Sequence, residues 1–121
     1  MKYDENNIFA KILRGEIPCN KIYEDDFVLS FYDINPQKKI HALVIPKGKY
    51  IDLDDFSVNA SNEEIIGLMK GVTNVAKKLG ISSIDGKGYR ALANISDYGG
   101  QEVPHLHFHL FGGEKVGKMV S

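Results

Sequence analysis

Apolar residues follow helical spacing in two segments of the chain. The segment 8–13 places its apolar side chains on one face and predicts a short amphipathic helix. A longer helix is predicted to begin at Ser61, because Ser61 and Glu64 fit a capping box ahead of a regular apolar stripe. Gly80 supplies the stop signal at its C-terminal end.

Other stretches alternate with period two or are continuously apolar at strand length, and they predict about five short strands. The stretch 21–32 divides into two strands at the acidic turn 24–26, and the remaining strands are predicted at 40–46, 89–95 and 105–111. Because helices and strands do not alternate along the chain, the fold class is α+β with an antiparallel sheet.

Composition narrows the picture to one ordinary globular domain over residues 1–121, since 43% of the residues are apolar and 26% are charged. The single cysteine, Cys19, excludes an intrachain disulfide and fits a reducing compartment. The net charge of −1 gives no bulk field for a nucleic acid polymer or an acidic membrane surface. Without a signal segment or a spanning apolar stretch, we expect a cytoplasmic protein.

Three of the four histidines occupy alternate positions of one predicted strand. On a strand, His105, His107 and His109 project from one face, and the apolar residues between them project from the other. On a helix the same spacing would scatter the imidazoles around the axis. The pattern therefore predicts a strand with one chemical face and one core face, the latter packed under the Ser61 helix.

Three interpretations of this histidine row compete. Two neighbouring imidazoles can chelate zinc or copper, but the outer pair is ~13 Å apart along a strand and cannot easily share one ion. Alternatively, a neutral imidazole attacks an electrophile directly while its neighbours fix its tautomer and donate hydrogen bonds. An exposed strand face that carries histidines by accident is the third interpretation.

The segment 105–111 matches the His-φ-His-φ-His-φ-φ signature of the histidine triad (HIT) nucleotide-binding proteins, and nearly the whole chain resembles that family. Similar stretches occur at 7–18, 24–26, 31–36, 41–47 and 99–101. The continuation 110–113 is similar to the Hint branch, in its bacterial form, rather than to the Fhit-like dinucleotide hydrolases. The resemblance implies a HIT-like fold, with a five-stranded antiparallel sheet and two main helices.

The resemblance also implies an activity, the hydrolysis of purine nucleoside phosphoramidates to nucleoside 5′-monophosphates. In relatives the middle histidine is the nucleophile, which is His107 here. His109 is then expected on the phosphate and leaving-group side, while His105 and His41 complete a hydrogen-bonded relay that orients His107. No cofactor or metal is expected, and the Cys pair that binds zinc in some relatives is absent from this sequence.

The nucleotide-binding residues implied by the resemblance fall into three groups. Asp33 matches the carboxylate that accepts both ribose hydroxyls, which suits two vicinal donors. The phosphate is expected beside Asn94, Gly100, Gln101 and the backbone N–H of Glu102, where eukaryotic relatives have a serine. The purine is expected between apolar side chains: Ile8, Phe9, Ile12, Phe31 and Ile34.

A homodimer is implied as well, because the family joins two sheets side by side through the strand at 89–95 and the long helix. The tail 114–121 diverges from the eukaryotic branch, so leaving-group preference does not carry over. Alternatives remain open: a nucleotide-binding adaptor with little turnover, a dinucleoside polyphosphate hydrolase, or a metalloprotein using His105 and His107.

Overall fold

A computed structural model describes residues 2–119, so Met1 and the last two residues of the predicted tail, Val120 and Ser121, lie outside the described residues. Its eight elements follow the chain in this order: α1 Ile8–Leu13, β1 Lys21–Glu24, β2 Val28–Tyr32, β3 Ile40–Pro46, α2 Leu53–Asn59, α3 Asn62–Lys78, β4 Arg90–Leu92 and β5 Phe108–Gly112. All neighbouring strands are antiparallel, in the order β1-β2-β3-β5-β4. The α+β class and the five-stranded sheet with two main helices are confirmed.

The helix ends follow from local capping chemistry. The Asn7 side chain accepts a hydrogen bond from the backbone N–H of Ala10 and begins α1. At α3 both halves of the predicted capping box are present, and Gly80 adopts a left-handed φ of 75° after its last turn. The short helix α2 was not predicted, and it begins where the Asp52 side chain caps its first turn. Within residues 2–119, no helix is long and apolar enough to span a bilayer.

The sheet is covered on both faces, and β3 shows how the two faces divide. Ala42 and Val44 belong to the larger apolar cluster, which packs against α3, whereas Leu43 and Ile45 belong to a smaller cluster with Phe9 of α1. The larger cluster also contains Leu106 and Leu110, with Phe108 packed against it. The predicted core face of the histidine strand, packed under α3, is therefore confirmed.

The histidine strand is shorter than predicted, because β5 begins only at Phe108. Val44 of β3 pairs with Phe108, the first residue of β5. Two positions further along β3 is Pro46, which has no N–H to donate to a longer β5. The chain before β5 bonds elsewhere, with the Leu106 N–H donating to the Tyr50 carbonyl. His105 and His107 thus precede the strand, although their side chains keep its alternation.

The strand predicted at 89–95 is also shorter, since β4 covers only Arg90–Leu92. Leu92 pairs with His109 of β5, so an extension of β4 beyond Ala93 would need partners in the segment before Phe108. That segment has left the ladder, so Asn94 lies beyond the end of β4.

Candidate active site

A cavity of about 380 Å³ opens beside α1 on the sheet face that carries Leu43. Most of the polar candidate residues identified from the sequence line this cavity. The residues that line it come from α1, the β2–β3 connection, three strands and the β4–β5 connection, of which the segment 96–102 is called the glycine loop: Phe9, Asp33, Asn35, Gln37, His41, Leu43, Leu92, Asn94, Gly100, Glu102, Val103, His107, His109 and Phe111.

Strand register brings two of the histidines together. His41 lies opposite Phe111, and the next pair on this face is Leu43 opposite His109. The two histidines are therefore diagonal neighbours on the same face of the sheet. Their ring centroids are 5.2 Å apart.

His107 is held with one ring nitrogen bonded and the other available. Its Nδ1 lies 2.7 Å from the main-chain oxygen of His105. Since a carbonyl only accepts, Nδ1 must carry the proton, and the lone pair is then on Nε2. The Phe9 ring packs edge-on against the imidazole at 4.9 Å. Burial lowers the pKa of His107, and this outweighs the opposing effects of the His105 carbonyl and the charges of Asp33 and Glu102.

The side chain of His105 is fully buried and does not line the cavity. Its Nε2 lies 2.9 Å from the Pro46 carbonyl and must donate there, while the Tyr3 hydroxyl lies 2.6 Å from Nδ1 and donates to it. Burial lowers the pKa of His105 to about 4, so this ring is neutral. His105 is hydrogen-bonded to His107, as the relay requires, but through its main-chain carbonyl and not through its imidazole.

A second chain of hydrogen bonds fixes His41 and His109. The backbone N–H of Gln37 donates to His41 Nδ1 at 3.1 Å, so the proton of His41 is on Nε2. That proton points to His109 Nδ1 at 2.9 Å, which leaves His109 with its own proton on Nε2. Burial and the neighbouring imidazoles of His107 and His41 lower the pKa of His109 to about 4. His41 therefore orients His109, and not His107 as expected.

Asp33 occupies the cavity wall beside these rings. One carboxylate oxygen accepts the backbone N–H of Asn35 at 2.8 Å and closes a turn. The other lies 3.4 Å from His41 Nε2, and its attraction opposes the lowering of the His41 pKa by burial. The residue thus has a turn-forming role and still presents a carboxylate oxygen at the cavity.

The glycine loop contributes Gly100 and Glu102 to the cavity, but the hydrogen-bonding groups of the Gln101 side chain are already bonded to main-chain groups of the protein. Its amide oxygen accepts the Ser96 N–H, and its amide hydrogens donate to the carbonyls of Ile51 and Val103. An amide has two N–H donors, so none remains for a phosphate. Gln101 therefore fastens the loop, contrary to the expectation that it contacts phosphate or nucleophile.

Of the five apolar residues expected around a purine, only Phe9 lines this cavity. Phe31 is buried beneath it, with the two rings edge-to-face at 5.5 Å, and Ile12 packs against the same cluster. Ile8 and Ile34 are 43% and 87% exposed. The structure therefore does not enclose a base between these side chains, but leaves two of them on the surface.

One group of side chains among residues 2–119 could ligate a metal, and it differs from the pair considered in the sequence. Asp33, His41 and His109 offer ligand atoms within 4.8 Å of one another. The His41–His109 hydrogen bond accounts for the closest of these approaches. His105 cannot share an ion with His107, because both of its ring nitrogens are already bonded inside the protein.

Two residues that shape the site were missed in the sequence. Tyr3 has no pattern that connects it to a residue 102 positions away. Gln37 acts on His41 through its main-chain N–H, which every residue except proline possesses. Neither contact leaves a side-chain signal.

Comparison with known proteins gives consistent matches over almost the whole chain. A family model described as HIT domain matches residues 14–116. An uncharacterised HIT-like protein of Azospirillum brasilense is 52% identical over 119 residues, 98% of this chain and 95% of that protein. A protein of Escherichia coli named purine nucleoside phosphoramidase is 42% identical over 117 residues, 97% of this chain and 95% of its own. The solved structure of a HIT family hydrolase from Clostridium thermocellum has 39% identity and a TM-score of 0.84, covering 98% and 99% of the two chains.

Proposed function

The chain belongs to the HIT domain family, and on this premise we propose that it hydrolyses purine nucleoside phosphoramidates through a covalent nucleotidyl intermediate on His107. The name of the Escherichia coli relative, at 42% identity, supports the choice of the phosphorus–nitrogen bond. The observation that carries the proposal is the His107 ring, whose Nδ1–H is held by a carbonyl so that a neutral Nε2 is free for attack.

The reaction is a double displacement at phosphorus. In the first step, Nε2 of His107 forms a bond to phosphorus, the P–N bond of the substrate breaks, and the nitrogen takes up a proton from the surrounding water to leave as an amine. In the second step, a water oxygen bonds to phosphorus, one proton of that water passes to the surrounding solvent, and the bond to Nε2 breaks. The nucleoside monophosphate is released and His107 returns to its neutral form. No metal takes part in either step.

His109 supports the chemistry by donation. With Nδ1 occupied by His41, the proton on Nε2 is the one that it can offer to a phosphate oxygen or to the departing nitrogen. Asn94 and the backbone N–H of Glu102 supply further donors at the phosphate, whereas the Gly100 N–H already donates to the Asp97 carbonyl. The Glu102 N–H makes no hydrogen bond to another residue of the described chain.

The remaining parts of the nucleotide are assigned to the edge of the cavity. Asp33 accepts the ribose hydroxyls with the carboxylate oxygen that the Asn35 turn leaves available. The purine lies against the exposed side chains of Ile8 and Ile34, over Phe9. Phe31 and Ile12 support this surface from below. A flat apolar base would gain by covering two large apolar side chains that are otherwise in water.

We also propose a homodimer, in which the edge strand β4 pairs with its copy. β4 is the last strand of the sheet, and within the described chain only β5 pairs with it. An unpaired strand edge is a ready template for a second chain. Exposed Ile66 and Met69 on α3 add apolar surface of the kind that such an interface covers.

The test is hydrolysis of adenosine 5′-phosphoramidate by metal-stripped protein with a chelator present, followed by release of AMP. We expect turnover by the wild type, and its loss in His107→Ala, which should still bind AMP. Rapid quenching of the wild-type reaction should trap a protein with one nucleotidyl group, and His107→Ala should trap none. Equal turnover in the variant would refute His107 as the nucleophile, and turnover only after adding metal would favour the Asp33–His41–His109 metal site.

A further inference from the structure

The charges around the candidate active site are unusual for a site that handles phosphate. Asp33 and Glu102 place two carboxylates on the cavity wall. Among the described lining residues there is no lysine and no arginine. The three lining histidines have lowered pKa values, so they are neutral near pH 7 and bring no compensating positive charge. The cavity is therefore negative before any substrate enters.

Such a cavity penalises each negative charge on a ligand. The phosphorus centre of a nucleoside phosphoramidate carries one negative charge, as in a phosphodiester. A polyphosphate carries several negative charges and is normally bound by lysine, arginine or magnesium. Asp33 is engaged with the ribose in the proposed function, and its second oxygen closes a turn. Glu102 is the carboxylate that has no assigned partner.

The Glu102 side chain is placed to interact with a ligand through its charge, and not to hold the fold together. Its side chain is exposed, and it makes no hydrogen bond or ion pair to any residue in the range 2–119. Its negative charge is near enough to raise the pKa of His107 against the effect of burial. The strained loop before it, with Ser96 at a φ of 59° and Gln101 fastened at three points, fixes the backbone that carries it.

We propose, on the basis of the function proposed above, that Glu102 makes this cavity selective for nucleoside phosphoramidates whose departing amine bears a second, positively charged group. The carboxylate attracts that cation while the P–N bond is intact and in the transition state. It repels substrates with an anionic leaving group, including dinucleoside polyphosphates. Glu102 is thus a specificity-determining residue that acts through its charge.

The experiment uses three adenosine 5′-phosphoramidates that differ only at the far end of the leaving amine. The amines are 1,4-diaminobutane, n-pentylamine and 5-aminopentanoate, which end in a cationic, a neutral and an anionic group. Because the differing groups lie four carbons from the reacting nitrogen, the three P–N bonds have similar intrinsic reactivity. The kcat/KM values are measured at low salt for the wild type, for Glu102→Gln and for Asp97→Asn.

We expect the wild type to prefer the cationic over the anionic substrate, and Glu102→Gln to reduce that ratio about fivefold, the size that one exposed charge pair supplies. Asp97→Asn removes the same charge from the same loop, outside the cavity lining, and should keep the wild-type ratio. The difference should shrink in high salt, since Glu102 is exposed. AMP, with its dianionic phosphate, should bind more tightly to Glu102→Gln.

Two results would overturn this inference in distinguishable ways. Turnover of all three substrates with the same ratio in the wild type and Glu102→Gln would refute the role of Glu102 and leave the phosphoramidase function standing. An equal change in Asp97→Asn would show that the loop charge acts generally, and would refute it as well. No turnover of any of the three substrates by the wild type would overturn the proposed function and this inference with it.

Discussion

The buried histidines predict that the protein loses stability in mildly acidic solution, before its carboxylates titrate. In the folded protein His105 and His109 have pKa values of about 4, against the ordinary value of 6.5. The unfolded chain therefore binds protons at these positions as the pH falls from 7, while the folded chain does not. The contribution of these two neutral rings to the free energy of unfolding is complete above about pH 6.5 and is lost as the pH falls towards about 4.

The magnitude follows from the size of these shifts. Between pH 7 and pH 5.5, each of His105 and His109 should remove about 1 kcal/mol from the free energy of unfolding, or about 2 kcal/mol together. The pKa values of His41 and His107 are lowered by burial as well, so these residues add in the same direction. Glu64 and Asp25 have pKa values below the ordinary 4.5 and 3.8, so they contribute little above pH 5.5.

The assay is urea unfolding at the two pH values, combined with NMR of the imidazole nitrogens. The spectra should show His105 and His109 neutral at pH 5.5 with the proton on Nε2, and the neutral form of His107 should carry its proton on Nδ1. His109→Gln removes one titrating ring and should reduce the loss between the two pH values by about 1 kcal/mol. Equal stability at both pH values, or a protonated His105 at pH 5.5, would refute the reasoning.

Two further predictions concern stability and assembly. Tyr3→Phe removes the hydroxyl that donates to Nδ1 of buried His105 and should lower the free energy of unfolding, measured in urea, by about 1–2 kcal/mol. The same change at fully exposed Tyr98 should not lower it. Equal urea midpoints for wild type and Tyr3→Phe would show that the Tyr3–His105 hydrogen bond contributes nothing. Ala91→Glu places a charge on the exposed centre of β4 and should convert the proposed dimer to a monomer, as measured by light scattering. Val58→Glu, at an exposed position of α2, should leave the dimer intact. A monomeric wild type would contradict the proposed dimer.

Much of the fold could be predicted because local chemistry and tertiary packing agree. The capping box at Ser61 and Glu64 and the apolar stripe behind it define α3 without reference to any other element. The short helix α2 could not be found this way, since its seven residues bury only Phe56 and its cap at Asp52 has no apolar period behind it. The early end of the histidine strand depends on Pro46 of another strand, which is information about pairing and not about sequence spacing.

Most polar residues of the candidate site were predictable from the sequence, whereas its apolar wall and its hydrogen-bond connections were not. Alternation along 105–109 placed three imidazoles on one face, and the resemblance to the HIT family added His41 from another strand. The partner of each ring could not be predicted, because three of those partners are main-chain groups of Gln37, Pro46 and His105. The amide of Gln101 shows the same limit, since its polar character fits a phosphate contact as well as the loop contacts that it makes.

These main-chain contacts have a chemical consequence for the proposed double displacement. The nucleophile must be neutral to attack, and it must also leave phosphorus when water arrives. Burial lowers the pKa of His107, which increases its neutral fraction near pH 7 and makes the ring a better leaving group in the second step. A proton fixed on Nδ1 by the His105 carbonyl keeps Nε2 the reacting atom in both steps. The backbone path before β5, which no side-chain motif records, thus sets the tautomer of the central histidine, and burial sets its lowered pKa.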